Sequence, residues 1–193
     1  MTADGELRTQ RLRIVPATVN VLKAELECGV TGLGDALRVR VADGWPAEHW
    51  DAGAIGYTIR KLTERPEESG WWAWYVMKSS HEAVGQDVLI GTCGYKGLPD
   101  EKGIVEIGYG IVEAERRKGF ASEASRALIE RAFAWKDSRG VSVVRSVMAE
   151  TLPELIASIG VMKKAGMSFE GEGSEPGTVR YRVTREAWIS SAP

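Results

Sequence analysis

Cysteine and histidine are scarce in this sequence, and their scarcity excludes several classes of protein. The chain of 193 residues has two cysteines and two histidines. Cys28 and Cys93 lie far apart, and neither they nor His49 and His81 show the spacing of a zinc site. Two cysteines in a chain of this size do not make a disulfide scaffold either. A metal-independent protein is therefore expected.

The sequence also lacks long apolar runs and an excess of charge of either sign. No uninterrupted apolar stretch approaches the roughly 20 residues of a membrane span, and the amino terminus has no basic-then-apolar signal layout. The formal net charge is −2, whereas proteins that bind nucleic acid broadly carry a strong basic excess. We therefore expect a soluble, cytoplasmic protein with neither a membrane nor a nucleic acid as partner.

Length and composition are those of an ordinary globular protein. Hydrophobic residues make up 44% of the chain and charged residues 27%. No internal repeat, low-complexity segment or linker divides the chain. We therefore predict a single domain over residues 1–193, long enough to bury a sizeable core.

One stretch, residues 103–135, combines a strand pattern, a basic turn and a helix pattern. Apolar residues alternate from Val105 to Ile111, which is typical of a strand. After the basic turn Arg116–Gly119, apolar residues recur at three- and four-residue steps up to Trp135, which predicts a helix of about four turns. Because a helix start has unsatisfied N–H groups and the macrodipole favours anions there, we expect this turn to bind a phosphorylated ligand. A basic turn that is simply solvated is the alternative.

The rest of the chain predicts an α+β fold. Further strands are predicted at residues 7–15, 71–77, 88–95, 141–149, 167–170 and 178–183, and further helices after Thr18, Asp51 and Thr151. Gly29 and Pro66 are placed to end the first two of these helices. Short polar turns indicate antiparallel neighbours, whereas a right-handed βαβ crossover places the strand at 141–149 parallel to the one that ends at Ile111. The expected architecture is a mixed, mostly antiparallel, twisted sheet flanked by helices.

The basic turn has a counterpart in a known family. Arg116-x-x-Gly119-x-Ala121 resembles the Arg/Gln-x-x-Gly-x-Gly/Ala turn of the GCN5-related N-acetyltransferases, the GNAT superfamily, where it also follows a strand and opens a helix. Four further segments resemble the ribosomal-protein (RimJ/RimL-like) branch: LRTQRLR at 7–13, AETLPE at 149–154, KKAGM at 163–167 and REAW at 185–188. The match is weakest at about residues 29–70. The resemblance implies a GNAT-like sheet with a splayed parallel strand pair, and acetyl-CoA as co-substrate.

The resemblance also implies where the coenzyme A part of that co-substrate binds. Its pyrophosphate is expected on backbone N–H groups from Arg117 to Ser122, where Gly119 lets the backbone approach closely. The basic side chains of the turn add charge-assisted contacts, and the pantetheine arm is expected to bond to backbone at the end of the strand. The predicted cofactor-binding residues are Ile111, Val112, Arg116, Arg117, Lys118, Gly119, Phe120, Ala121 and Ser122.

Two residues are candidates for moving protons. Glu106 shares a strand face with Gly108 and Gly110, so its carboxylate projects beside a surface cleared of side chains and would accept a proton from the amine, directly or through water. An ordinary polar residue on a half-exposed strand is the alternative. Ser158 matches the family's serine near the cofactor sulfur, where a hydroxyl would help to protonate the thiolate; a helix-filling serine is the alternative. The family commonly has Asn three residues earlier, but this chain has Leu155 and lacks that amide.

The acceptor segment, Trp45-Pro46-Ala47-Glu48-His49-Trp50, is the predicted place of the amine. Trp45, His49 and Trp50 would line an acceptor pocket, whereas aromatic side chains simply packed on the core are the alternative. The predicted function is transfer of the acetyl group of acetyl-CoA to a primary amine, either a protein N-terminus or a small molecule, in a ternary complex. A non-catalytic acyl-CoA-binding or regulatory domain is the alternative, and the superfamily's frequent dimers suggest a homodimer.

Overall fold

A computed structural model of the chain describes residues 5–80 and 85–190, so His81 lies outside the described residues. The strands are β1 Leu7–Arg8, β2 Leu12–Pro16, β3 Arg40–Val41, β4 Ala73–Lys78, β5 Val88–Tyr95, β6 Ile104–Ile111, β7 Ser146–Thr151, β8 Ser168–Glu172 and β9 Val179–Thr184. The helices are α1 Val19–Leu37, α2 Ala52–Glu64, α3 Phe120–Ala134, α4 Ile156–Lys164 and α5 Arg185–Ser190. Two compact units share these elements: one runs up to Gly94 and includes Tyr109–Ala124, and the other combines Tyr95–Gly108 with the chain from Ser125 onward.

The first unit is built on antiparallel strands with helices packed on them. β1 pairs with β2, β2 with β4, and β4 with β5. The short β3 adds a parallel pairing to β5 that the sequence did not indicate. Leu12 and Ile14 on β2 are buried while Arg13 between them faces outward to Asp87, which is the alternation that predicted this strand. The hydrophobic core of the first unit contains Leu22, Leu33, Ile55, Trp50, Tyr75 and Leu89.

The helix starts in this unit follow their capping residues. Thr18 Oγ1 accepts a hydrogen bond from the Val21 amide, and Asp51 Oδ1 accepts one from the Ala54 amide at 2.9 Å, as the sequence predicted. Gly29 does end the first helical segment, with a left-handed φ of 60°. The chain then resumes as helix to Leu37, so the predicted stop is a kink inside α1.

The second unit contains the predicted parallel pair. β6 pairs with β7 in parallel, with Ile104–Glu106 opposite Ser146–Met148, and β6 runs on beyond this pairing. β7 pairs antiparallel with β9, and β9 with β8. The α+β class and the mixed sheet with a parallel pair and flanking helices are therefore confirmed.

Two elements in the second unit begin later than predicted. The strand predicted at 141–149 begins only at Ser146, because Asp137 Oδ1 accepts bonds from the Arg139 and Val141 amides and closes a turn there. The helix predicted after Thr151 begins at Ile156, because β7 uses Thr151 in its ladder with β9. The closing residues form α5. None of the helices in the described ranges is long and apolar enough to cross a membrane.

Candidate functional site

The basic turn, residues 116–119, lies between β6 and α3 in the first unit, as predicted. Arg117 and Gly119 have left-handed φ angles of 63° and 87°, which bend the chain sharply just before the helix. The Glu123 amide makes the first α-helical bond, to the Gly119 carbonyl at 3.1 Å. The amides of residues 120–122 precede that bond and have no intrahelical acceptor. The structure therefore places a row of donor groups at a helix start, where the macrodipole favours an anion.

The three cations of the basic turn differ in what surrounds them. Arg116 Nη2 lies 3.0 Å from Glu48 Oε2, and Lys118 Nζ lies 3.0 Å from Glu115 Oε2. Arg117 is exposed and is the one cation of this turn that makes no ion pair with any described residue. Among the three cations of this turn, Arg117 is therefore the one whose charge no described carboxylate neutralises.

Glu115 fixes the position of Lys118. Its carboxylate also binds Lys78 Nζ at 3.0 Å, so two ammonium groups share it. Burial alone would raise the pKa of Glu115, but the hydrogen bonds and charges of Lys118 and Lys78 lower that pKa overall. The carboxylate thus stays ionised and holds Lys118 at the edge of the turn.

The predicted pantetheine contacts lie at the end of β6, where the backbone is partly engaged. The Ile111 carbonyl accepts a hydrogen bond from Arg116 Nε at 2.9 Å, and the Val112 amide donates to the Ile90 carbonyl at 2.9 Å. A carbonyl oxygen can accept a second bond, whereas an N–H group has one proton to give. The carbonyl of Ile111 is therefore the better partner for a ligand donor than the amide of Val112.

A second element holds the start of α3, and the sequence did not reveal this. The hairpin turn, residues 9–11 between β1 and β2, packs on it. Arg11 Nε lies 2.7 Å from Glu123 Oε2, and its Nη1 donates to the Lys118 carbonyl at 3.0 Å. Its guanidinium lies 4.7 Å from the centre of the Phe120 ring. The available signal was the segment LRTQRLR, but it indicated only family likeness and a strand.

Glu123 is enclosed by donors from this hairpin turn. Its Oε1 accepts from Thr9 Oγ1 at 2.5 Å and from the Arg11 amide at 3.0 Å. Burial alone would raise the pKa of Glu123, but the bonds from Thr9 and Arg11 lower it. Both carboxylate oxygens are thus turned toward the hairpin.

The acceptor segment is anchored by a buried carboxylate that no sequence pattern indicated. Glu25 Oε1 accepts hydrogen bonds from the indole N–H groups of Trp45 at 2.9 Å and Trp50 at 3.0 Å. Its Oε2 accepts one from the Tyr75 hydroxyl at 2.5 Å. Burial and the neighbouring charge of Glu25 raise the pKa of Tyr75, which therefore remains a donor. The polar atoms of both predicted acceptor tryptophans are occupied within the protein.

The same segment crosses the end of β6 at Gly110. A Cβ atom at Gly110 would lie 3.1 Å from the Glu48 carbonyl oxygen and 3.4 Å from the Ala47 Cβ, so a side chain there would force the segment away. Glycine at position 110 is therefore needed because the acceptor segment crosses β6 there. The sequence had suggested a different reason, an open surface beside Glu106. His49 is exposed, has a left-handed φ of 64°, and places Nε2 3.7 Å from Glu48 Oε1.

The two candidate proton-transfer residues belong to the second unit. Glu106 forms a close ion pair with Lys96, and the Lys96 amide donates to the Glu106 carbonyl at 3.0 Å. Ser158 is half-buried on α4. Leu155 is the N-cap residue of that helix, is exposed, and offers no side-chain cap. The roles of Glu106 and Ser158 in proton transfer stay predictions.

The cysteines and acidic groups form no metal-binding cluster in residues 5–80 and 85–190, where no group of three His, Cys, Asp or Glu side chains is close enough to share an ion. Cys28 is exposed. Cys93 is buried, and burial raises the pKa of its thiol, so it remains protonated.

Sequence similarity identifies the family. The acetyltransferase (GNAT) domain model matches residues 23–168, which is more than half of the chain. The chain belongs to the GNAT acetyltransferase family. The match includes the basic turn and the start of α3, so the strand–turn–helix described above lies within the GNAT domain.

Relatives and solved GNAT structures share the length of this chain. The uncharacterized N-acetyltransferase YjdG of Bacillus subtilis (strain 168) is 26% identical over 169 residues, 88% of this chain and 93% of that protein. The structure of RimL, a ribosomal L7/L12 α-N-protein acetyltransferase with coenzyme A bound, has a TM-score of 0.58 at 17% identity and covers 93% of this chain and 97% of its own. The aminoglycoside acetyltransferase AAC(6')-Ib with coenzyme A and kanamycin has a TM-score of 0.58 at 14% identity, covering 93% and 98%. At such identities the two structures show the shared fold.

Proposed function

We propose that this GNAT protein is an N-acetyltransferase that moves the acetyl group of acetyl-CoA to a primary amine. The observation that carries the proposal is the start of α3 in the first unit, where three helix amides directly follow Arg117, an exposed residue that makes no ion pair within residues 5–80 and 85–190. This arrangement is suited to a diphosphate, because N–H donors, the helix dipole and a guanidinium all favour negative charge.

The residues present fit coenzyme A at this turn. A Cβ atom at Gly119 would lie 3.3 Å from Arg11 Nη2, and the backbone has a left-handed φ that glycine adopts freely, so glycine suits the sharp bend before the helix-start amides. The amides of residues 120–122 would hold the pyrophosphate, with Arg117 as its counter-charge. When bound, acetyl-CoA supplies an activated thioester, from which the acetyl carbon passes to the amine nitrogen while the sulfur departs and takes up a proton.

Residues of this chain would then accept the proton that the amine loses and supply the proton that the thiolate gains. We assign Glu106 as the base that accepts the proton of the amine, directly or through a water, and Ser158 as the group that helps to protonate the departing thiolate. The ammonium group of Lys96 already pairs with Oε1 of this carboxylate, so Oε2 would accept the proton. Water acting in place of Glu106 is the alternative base.

The acceptor is proposed by class. RimL acts on the α-amine of a ribosomal protein, and AAC(6')-Ib acts on an aminoglycoside, so both protein and small-molecule amines occur among proteins of this fold. The acceptor segment, with the exposed His49 beside Glu48, would receive the amine. Membership of the RimJ/RimL-like branch, a cytoplasmic location and a homodimer remain part of this proposal and rest on the sequence.

The test is a binding and turnover assay with the whole chain. We expect acetyl-CoA to bind, and thiol release to accelerate with at least one member of a panel that contains a peptide with a free N-terminus, an aminoglycoside and a polyamine. Binding without turnover on any amine would instead support a non-catalytic acyl-CoA-binding domain. Absence of acetyl-CoA binding would reject both functions.

Variants of the basic turn sharpen this test. Arg117→Gln removes the unpaired cation and should weaken acetyl-CoA binding by about tenfold, the size of one charge-assisted hydrogen bond. Lys118→Gln should weaken it less, because Glu115 already holds that ammonium group. Arg40→Gln, an exposed arginine on β3, is the matched control for loss of one positive charge. Equal effects of all three variants would contradict the assignment of Arg117.

A further inference from the structure

We infer that the hairpin turn between β1 and β2 is a positioning element for the coenzyme A site, acting through Arg11 and Thr9 on the start of α3. This inference rests on the proposed function, since it assigns a task within the same site. It concerns residues that precede the matched GNAT region, which begins at residue 23.

Arg11 joins three parts of the anion site. Its Nη1 binds the carbonyl of Lys118, the last side-chain-bearing residue of the basic turn, at 3.0 Å. Its Nε and Nη2 lie 2.7 and 2.6 Å from Glu123 Oε2, within the first turn of α3. Its Cζ atom lies over the ring of Phe120, the first helical residue, 4.7 Å from the ring centre. One side chain therefore fixes the distance and angle between the turn and the helix that supply the ligand's donors.

The hairpin turn also neutralises the negative charge of Glu123, which is unfavourable beside an anion site. Glu123 places a carboxylate in the first helical turn, where it would repel a pyrophosphate and compete for the free amides of the helix start. Arg11 neutralises that charge, and Thr9 Oγ1 with the Arg11 amide occupies its second oxygen. With both oxygens directed to the hairpin, the helix-start amides are left for an incoming anion.

The hairpin turn is itself built to present these donors in one orientation. The Thr9 amide donates to the Leu12 carbonyl at 2.9 Å, and the Leu12 amide donates to Thr9 Oγ1 at 3.0 Å. Leu12 is buried, which ties the turn to the core. Thr9 and Arg11 therefore reach Glu123 from a fixed support, as positioning requires.

The test compares two donors that differ in the phosphate part. Acetyl-CoA carries the pyrophosphate, and S-acetylpantetheine lacks it together with the nucleotide. Arg11→Gln should raise the Kd for acetyl-CoA by about tenfold, because the Glu123 carboxylate is then no longer neutralised beside the pyrophosphate, while the Kd for S-acetylpantetheine changes less than about twofold. Thr9→Val, which keeps the shape and removes the hydroxyl, should cause a smaller loss with the same selectivity. Arg8→Gln, an exposed arginine on β1 paired with Glu6, is the control and should leave both constants unchanged.

Each outcome bears on the inference separately from the proposed function. Selective loss of acetyl-CoA affinity in Arg11→Gln and Thr9→Val supports a positioning role. Loss of both donors by the same factor, or no loss of either, overturns it, because the hairpin would then only stabilise the fold or be irrelevant to the site. If the unaltered protein fails to bind acetyl-CoA, the proposed function fails, independently of any variant.

Discussion

Arg116 and Glu48 form an ion pair, with Nη2 and Oε2 3.0 Å apart, that joins the basic turn to the acceptor segment. The exposed fractions of their side chains are 45% and 59%, so solvent screens the pair and its net contribution is small, about 0–1 kcal/mol. Arg116 is therefore held at Nε by the Ile111 carbonyl at 2.9 Å, whereas Glu48 orients its Nη2 only weakly. A phosphate that approaches the turn competes with one carboxylate for this guanidinium.

Replacing Glu48 should therefore strengthen binding of acetyl-CoA. In Glu48→Gln the guanidinium of Arg116 has no anionic partner to give up, and we expect the Kd for acetyl-CoA to fall by up to about fivefold, the upper range for an exposed pair. Calorimetric titration at low and physiological salt measures the change, which should shrink at higher salt. Glu113→Gln removes an exposed carboxylate just before the turn and serves as the control. An equal gain in both variants would mean that general charge, and not the pair, sets the affinity.

Glu25 should be important for stability because three donors point at its buried carboxylate. Glu25→Gln turns an N–H group toward indole or phenol donors and leaves at least one buried donor unsatisfied, so we expect the free energy of unfolding to fall by about 1–3 kcal/mol. Urea unfolding followed by tryptophan fluorescence measures this. Glu27→Gln, an exposed change on the same helix, should stay within about 0.5 kcal/mol of the unaltered protein. A Glu25→Gln variant as stable as that control would show that the carboxylate anchors nothing.

The features predicted correctly from sequence are those whose cause is local. Thr18 and Asp51 cap their helices because a side-chain oxygen needs only the amide three residues later. The basic turn was recognisable because strand, turn and helix follow one another directly in the chain. Such signals require no knowledge of distant contacts, and the parallel pairing of β6 with β7 followed from them through the right-handed crossover rule.

The features that were missed depend on contacts distant in sequence. Glu25 lies 20 residues from Trp45 and 50 from Tyr75, and nothing in the helical pattern of α1 shows that its carboxylate is buried. Arg11 and Glu123 are 112 residues apart, so the hairpin turn's hold on α3 has no local signature. The kink at Gly29 was misjudged because the same left-handed φ ends some helices and merely interrupts others.

The contribution of Glu123 to stability should depend on pH. Its pKa is lowered in the folded protein by Thr9 and Arg11, so its stabilising contribution is present above the unfolded value of about 4.5 and is lost as the pH falls through the folded value. Glu123→Gln should therefore destabilise the protein by about 1.5–3 kcal/mol at pH 7 and progressively less below about pH 4. Urea unfolding at several pH values measures the difference. Glu130→Gln, an exposed change on α3, controls for loss of a carboxylate; a pH-independent Glu123→Gln effect would contradict the assigned interactions.

Leu155 occupies a helix cap for which leucine is poorly suited. Leu155→Asn should stabilise α4 by about 1 kcal/mol, because its side chain can accept a bond from an amide two or three residues on. Leu155→Ser supplies a cap without an amide and is the matched variant. If the family's Asn contacts the cofactor, only Leu155→Asn should also lower the Kd for acetyl-CoA. Unchanged stability in both variants would argue against the N-cap position.

Glu106→Gln decides whether this carboxylate is the base. The variant keeps the size of the side chain but cannot accept the proton of the amine, so we expect kcat to fall by about a hundredfold and the acidic limb of the pH–rate profile to disappear. Lys96→Met is the control: it removes the ion-pair partner and leaves the carboxylate, so the acidic limb should persist. A Glu106→Gln enzyme that retains the acidic limb of the unaltered protein removes Glu106 as the base and leaves the task to a water.

The same pH–rate profile with Ser158→Ala tests the proton that the thiolate takes up, because a hydroxyl that helps the thiolate depart should affect kcat without altering the acidic limb.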